Sequence, residues 1–158
     1  MSLDATDLKI LACLQDDARL PNLALAEKVA LSPSPCSRRV RMLEAAGVIR
    51  KYVTLVDPAS VGMPVSVFVN VTLDRQIESR LDEFEAAVVT RPEVMECYMM
   101  TGEYDFLLRV VVSDLASYER FLKDHLTRIP GVASIKSSFA LKQVQYRTAL
   151  PLRTVAEN

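Results

Sequence analysis

Apolar residues recur along the first third of the chain at intervals of three and four, and along much of the remainder at intervals of two. The first spacing is that of a helix with one buried face, the second that of a half-buried strand. Leu8, Leu11, Cys13, Leu14 and Ala18 supply the first helical stripe. Ahead of it Asp4 is placed to cap, Asp7 stands three residues on, and Leu3 can staple the approaching chain. Pro21-Asn22 interrupts the pattern, and Asn22 is placed to cap a short helix over 23–29 that buries Leu25, Ala26 and Val29. A third helix follows a tight turn and runs to about Ala46, with Gly47 as its C-terminal stop. From Val48 the period becomes two. Ile49, Lys51, Val53 and Leu55 alternate with Arg50, Tyr52, Thr54 and Val56, which predicts a strand or hairpin.

The rest of the chain repeats itself. Val65, Val67, Val69, Val71 and Leu73 alternate with polar neighbours; Ile77, Leu81, Phe84 and Val88 then mark a helix, and 94–101 a strand. The same order returns as a strand over 105–112, a helix over 115–129 (Leu115, Tyr118, Leu122, Leu126 and Ile129 inward) and a strand over 134–146. Even the joints match, Arg91-Pro92-Glu93-Val94 against Ile129-Pro130-Gly131-Val132. Two tandem βαβ units with right-handed crossovers make a ferredoxin-like sandwich, helices on one face of the sheet and the other face bare. Phe68, Phe106, Leu108 and Phe139, or their alternates, would populate that bare face, so a second subunit is expected to cover it. The chain therefore reads as α+β, an N-terminal winged helix-turn-helix followed by a ferredoxin-like (βαββαβ) domain. The expected boundaries are 1–56 (helix-turn-helix about 22–41), a linker 57–64, the sheet domain 65–150 and a tail 151–158.

Residues 31–43, LSPSPCSRRVRML, set two prolines directly before three arginines. With Ser34 as cap and Pro35 as first helical residue, or Ser32 and Pro33 in those roles one step earlier, both prolines fit a helix start and neither fits its interior. Cys36, Val40, Leu43 and Gly47 then share one side. Ser34, Arg38, Arg41 and Ala45 lie opposite, with Ser37 and Arg39 on the flanks. An RR-x-R run by itself reads as a solvated basic face. The preceding helix with its small Ala26, the short turn, and Arg50 and Lys51 returning just downstream favour a recognition helix with a basic wing. Ala30 stands where such turns often place glycine, at a cost of about 1 kcal/mol if its backbone is left-handed.

Charge sharpens this picture. The net charge of −1 excludes a polycation that coats nucleic acid by bulk attraction, so any contact must be local. Within 38–51, five basic residues face only Glu44. Three widely spaced cysteines and a single histidine, His125, give neither a disulfide frame nor a metal cluster, so no metal or cofactor is expected and His125 reads as surface or interface packing. The N-terminus lacks a signal-like segment and no apolar run is long enough for a membrane span, which predicts a cytoplasmic protein without a membrane partner. No Ser/His/Asp, Cys/His or paired-carboxylate arrangement is visible and no glycine-rich phosphate loop occurs, so catalysis is not expected.

Residues 3–62, above all LSPSPC, RVRMLE and GVI, resemble the DNA-binding half of the leucine-responsive regulator/AsnC family; VMECYMMTGEYDFLLRVVVSDLASYERFL resembles its regulatory domain. The resemblance implies a nucleoid-associated transcription regulator of the cytoplasm that binds duplex DNA, forms homodimers that often build octamers, and senses a small effector, commonly an amino acid. Its DNA-binding residues would be Ser34, Ser37, Arg38, Arg39, Arg41, Arg50 and Lys51. In that family the loop matching 101–105 lies between dimers and helps hold the effector, which points to Gly102, Tyr104 and Asp105, with Ser134, Ser137 and Ser138 contributed from a neighbouring subunit. The residues alone leave two readings of that loop open: a zwitterion site whose Asp105 pairs an ammonium group, or a plain hairpin whose Asp105 bonds its own turn. An architectural chromatin protein with little sequence preference is the alternative to a sequence-specific regulator.

Overall fold

The computed structural model describes residues 2–152, which fall into two compact units. One holds the chain up to Leu55 together with the residues from Val144 on; the other is Val56–Gln143. Of the expected tail, residues 153–158 lie outside the described residues.

The first unit is built on three helices, α1 (Ala5–Asp16), α2 (Asn22–Lys28) and α3 (Pro33–Ala45). The predicted capping box opens α1: the Asp7 N–H donates to Asp4 Oδ1 at 2.8 Å and the Asp4 N–H donates to Asp7 Oδ2 at 3.1 Å. Ile10, Leu11, Leu25, Ala26, Val29, Cys36 and Leu43 form the core. Ile10, wholly buried, was missing from the expected stripe, whereas Ala18 lies beyond the helix and is exposed. Asn22 does not cap α2. It is the first helical residue, and its side-chain amide donates to the Pro33 carbonyl at 2.9 Å, bracing the start of α2 against the start of α3.

The turn between them closes as a Schellman motif with alanine in the left-handed position. Ala30 has φ 56°, its N–H reaches the Glu27 carbonyl, and the Leu31 N–H reaches that of Ala26. α3 starts at the earlier of the two possible places, with Ser32 at the cap and Pro33 first. Pro35 is third, still within the turn whose N–H groups have no intrahelical partner, so it breaks nothing. Gly47, at φ 71°, ends the helix as expected, with the Val48 N–H bonded to the Leu43 carbonyl.

The strand expected after α3 is absent. Residues 50–56 belong to no strand and pair with no ladder among the described residues, and Tyr52, Val53, Leu55 and Val56 are exposed. Alternation supplies strand-like side chains, but a strand also needs a neighbour to take its backbone bonds.

The second unit is a four-stranded antiparallel sheet in the order β2-β3-β1-β4, with β1 Val65–Leu73, β2 Val94–Met99, β3 Phe106–Val112 and β4 Val132–Phe139. The crossover helices α4 (Glu78–Val89) and α5 (Leu115–Asp124) share one core with it. Phe84 and Phe106 meet there with ring centroids 4.5 Å apart. Val67, Val69, Val71 and Leu73 from β1 and Phe106, Leu108, Val110 and Val112 from β3 point to the helices. Phe106 and Leu108 therefore lie on the covered face, contrary to expectation. Phe139, paired with Val67 and packed edge-on against Tyr118, does too. The uncovered face carries Phe68, Leu107, Tyr98 and Val111 among polar groups, including the Arg109–Glu96 pair at 2.7 Å.

Three elements end sooner than their patterns suggest. β2 stops at Met99. α5 stops at Asp124, where His125 leaves helical geometry and a 3-10 turn, Leu126–Arg128, continues. β4 stops at Phe139, and residues 144–152 pack with the first unit instead: the Leu150 N–H donates to Gln15 Oε1 at 2.7 Å and Leu152 joins the helical core.

Candidate functional site

The outward side of α3 forms a shallow concavity of about 410 Å³ lined by Ser34, Arg38, Arg41, Met42 and Ala45. All five are exposed, since this helix turns Cys36, Leu43 and the partly buried Val40 to the core. Arg41 Nη2 donates to Ser37 Oγ one turn back at 3.1 Å, which steadies the guanidinium along the helix. Among the described residues Arg38 makes no hydrogen bond or ion pair, leaving its guanidinium donors to face an outside acceptor.

Arg50 and Lys51, both exposed, follow the Gly47 stop. Just beyond them the Tyr52 hydroxyl donates to Glu44 Oε1 at 2.8 Å, folding the segment back onto the last turn of α3. Partial loss of water around its oxygen, then the Glu44 carboxylate, push the pKa of the otherwise exposed Tyr52 up to about 12. The basic pair thus stays beside the helix without the strand expected to carry it. Arg39 does not join this surface. Its Nη1 donates to Asp4 Oδ2 and to Asp7 Oδ1, each at 2.7 Å, so its guanidinium faces the start of α1. Nothing local in the sequence signals that pairing.

The turn 100–105 in the second unit is tight. Gly102 has φ 112°, a conformation that favours glycine, and the Met100 N–H donates to the Asp105 carbonyl at 2.8 Å. Asp105 is buried, and both carboxylate oxygens are in use: Oδ2 accepts from the Leu73 N–H at 2.7 Å and Oδ1 from Gln76 Nε2 at 2.6 Å. The carboxylate therefore ties this turn to the end of β1. Tyr104 is half-buried, and Lys136 Nζ donates to its hydroxyl at 3.4 Å.

The three serines divide between the faces of the sheet. Ser134 and Ser138 pair with Thr72 and Phe68 and so share the uncovered face with Lys136, while Ser137 sits opposite Val69 and bonds the Tyr118 hydroxyl on the helix side. Sequence reading missed Gln76 and Lys136. Lys136 stands at period two between Ser134 and Ser138 and was findable; Gln76 carries no pattern. His125 accepts at Nε2 from Arg91 Nη2 at 2.8 Å, the packing role expected of it, because a guanidinium can only donate.

Comparison with known proteins fits both units. Residues 66–150 match the Lrp/AsnC ligand binding domain family and residues 3–50 the winged helix-turn-helix DNA-binding family. The Bkd operon transcriptional regulator of Pseudomonas aeruginosa is 51% identical over 150 residues, spanning 95% of this chain and 98% of that one. A leucine-responsive regulatory protein of Rhizobium meliloti is 42% identical over 145 residues, 92% of this chain and 93% of that one. Among solved structures, a transcriptional regulator of Neisseria meningitidis in complex with L-Met superposes with a TM-score of 0.92 at 42% identity, covering 98% of this chain and all of that one (100%). The chain belongs to the Lrp/AsnC family of DNA-binding transcription regulators.

Proposed function

We propose that this regulator reads duplex DNA through the outward side of α3 and that an amino acid, held at the turn 100–105, adjusts its assembly or its hold on DNA. Ser34 and Ser37 would approach base edges from the first turns of the helix. Arg38 and Arg41 would bind guanine or phosphate, and Arg50 and Lys51 phosphate. The carrying observation is that Arg38 and Arg41 stand exposed on the side of α3 that the core does not use. Arg38→Ala and Arg41→Ala are expected to weaken binding to a selected operator several-fold and each to lower the salt slope by about 1. Retained affinity at moderate salt would remove the reading. Equal affinity for random and selected duplexes would mark an architectural protein instead.

The effector reading rests on the exposed turn at Gly102, on Tyr104 and Lys136, and on the L-Met complex of the meningococcal relative. Asp105 serves it by holding the turn rather than by reaching outward. Phe68 and Tyr98 on the uncovered sheet face, and Val53, Leu55 and Val56 before β1, remain solvent-exposed in a single chain, which favours a second copy as their cover and a homodimer as the working unit. Larger assemblies up to an octamer, and residence on the nucleoid in the cytoplasm, belong to the same proposal. A thermal-shift series over the twenty amino acids, paired with light scattering, tests effector and assembly together.

A further inference from the structure

Three arginines fall within four positions of α3, and their surroundings set one apart. Arg38 and Arg41 line the outward concavity, whereas Arg39 turns toward the start of α1. Its place along the helix is informative. Cys36 and Leu43, both wholly buried, mark the seam where α3 meets the core, and Arg39 falls between them, three residues after one and four before the other. Residues at those spacings share a helix face. Val40, four residues after Cys36 and three before Leu43, packs partly buried on the core, so the Arg39 ion pair runs along the flank of an apolar seam.

The receptor for this arginine is already set. The capping box uses Asp4 Oδ1 and Asp7 Oδ2, and Arg39 takes the remaining oxygen of each carboxylate. The bonds that begin α1 thus also aim both carboxylates. Apolar burial is non-directional, whereas charge-assisted hydrogen bonds demand a narrow geometry. Rotating α3 about its axis would break both Arg39 bonds together, while Cys36 and Leu43 could remain buried. Two carboxylates also offset the Arg39 charge, so the attraction for phosphate near α3 comes from Arg38, Arg41, Arg50 and Lys51.

We propose that Arg39 is a positioning residue: paired with Asp4 and Asp7, it fixes the angle at which α3 presents Arg38 and Arg41, and it does not touch DNA. The inference rests on the DNA-binding reading above, and salt dependence separates the two. The probe is a fluorescent duplex enriched from a random pool by the full-length wild-type protein, titrated by anisotropy across a range of KCl. Arg38→Ala and Arg41→Ala should each flatten the plot of log affinity against log salt by about 1, the signature of one lost phosphate contact. Arg39→Ala should lower affinity about tenfold at every salt with the slope unchanged, and Arg39→Lys should recover part of the loss.

Should Arg39→Ala fail to fold, the pair Asp4→Asn and Asp7→Asn supplies the second test, since asparagine keeps one oxygen for each capping bond while losing the charge and turning the acceptor that Arg39 uses into an amide donor. Removing two negative charges near a DNA-binding helix would by electrostatics alone tighten binding. Positioning predicts that it weakens binding several-fold. A slope lowered at Arg39 as at Arg38, or tighter binding by the asparagine pair, overturns the positioning role while leaving the interface intact. Unchanged affinity and slope at both Arg38 and Arg41 would take down the interface and the positioning role with it.

Discussion

The two units of this chain are held together by different physics. In the sheet unit thirteen buried residues form one core between β1, β3 and the crossover helices, and every member is apolar or aromatic. In the helical unit the buried core has seven members, two of them as small as Ala26 and Cys36; each unit also holds a buried carboxylate, Asp7 here and Asp105 in the sheet unit. The sheet unit gains its shape from area removed from water. The helical unit has too little of that, and relies on directed bonds: the capping box, the Arg39 pair, the Asn22 amide on Pro33 and the Tyr52–Glu44 bond. Directed bonds thus supplement a small core in the helical unit, while in the sheet unit they gather at particular points, such as the Asp105 carboxylate that holds the turn 100–105 beside a larger core.

That contrast can be broken most forcefully in the sheet. Phe106→Ala removes a wholly buried ring packed at a tilt against Phe84 and is expected to cost about 3–5 kcal/mol. Urea denaturation followed by hydrogen exchange should locate the loss in the sheet unit; a loss below about 1 kcal/mol would deny that packing dominates there. A smaller effect of opposite sign is expected in the helical unit. Ala30 holds φ 56°, so Ala30→Gly should stabilise that unit by about 1 kcal/mol, partly offset by the freer unfolded chain. Destabilisation would mean that the left-handed turn is not strained.

The smallest effect is one of pH. The Asp7 N–H, followed by Arg39, holds the Asp4 carboxyl below its ordinary 3.8. A depressed folded-state value means that the contribution is present above 3.8 and is lost as pH falls below it. Asp4→Asn should therefore flatten the acid limb of the helical unit's stability below that pH, and leave the same limb of the sheet unit unchanged. An identical change in both units would show that the clamp is not local.

Much of this was legible in the chain. The capping box announces itself as Asp4 and Asp7 at the right spacing, and β1 runs over the residues its alternation marks. The repeated βαβ order gave the sheet. Phase was harder: β3 has apolar residues on both sides, and Arg109 at its centre was the local sign that Phe106 and Leu108 face the helices. Local pattern also cannot report a missing ladder partner, which is why residues 50–56 read as a strand. The outward residues of α3 were mostly legible, because its apolar stripe leaves Arg38 and Arg41 opposite it. Arg39 was not, since its partners lie 35 and 32 residues away in sequence. Asp105 was left open between an ammonium partner and its own turn; its carboxylate takes Leu73 at the end of β1 and Gln76 just beyond, partners 32 and 29 residues away that no local pattern shows.

The central claim is that the outward side of α3 meets the duplex, and arginine footprinting tests it most directly. A dicarbonyl reagent that modifies accessible guanidinium groups would be applied to the free protein and to its complex with a saturating selected duplex, and the sites read by mass spectrometry. Arg38 and Arg41 should react in the free protein and be protected in the complex, while Arg39 reacts little in either. Equal modification of Arg38 and Arg41 with and without DNA would contradict the account.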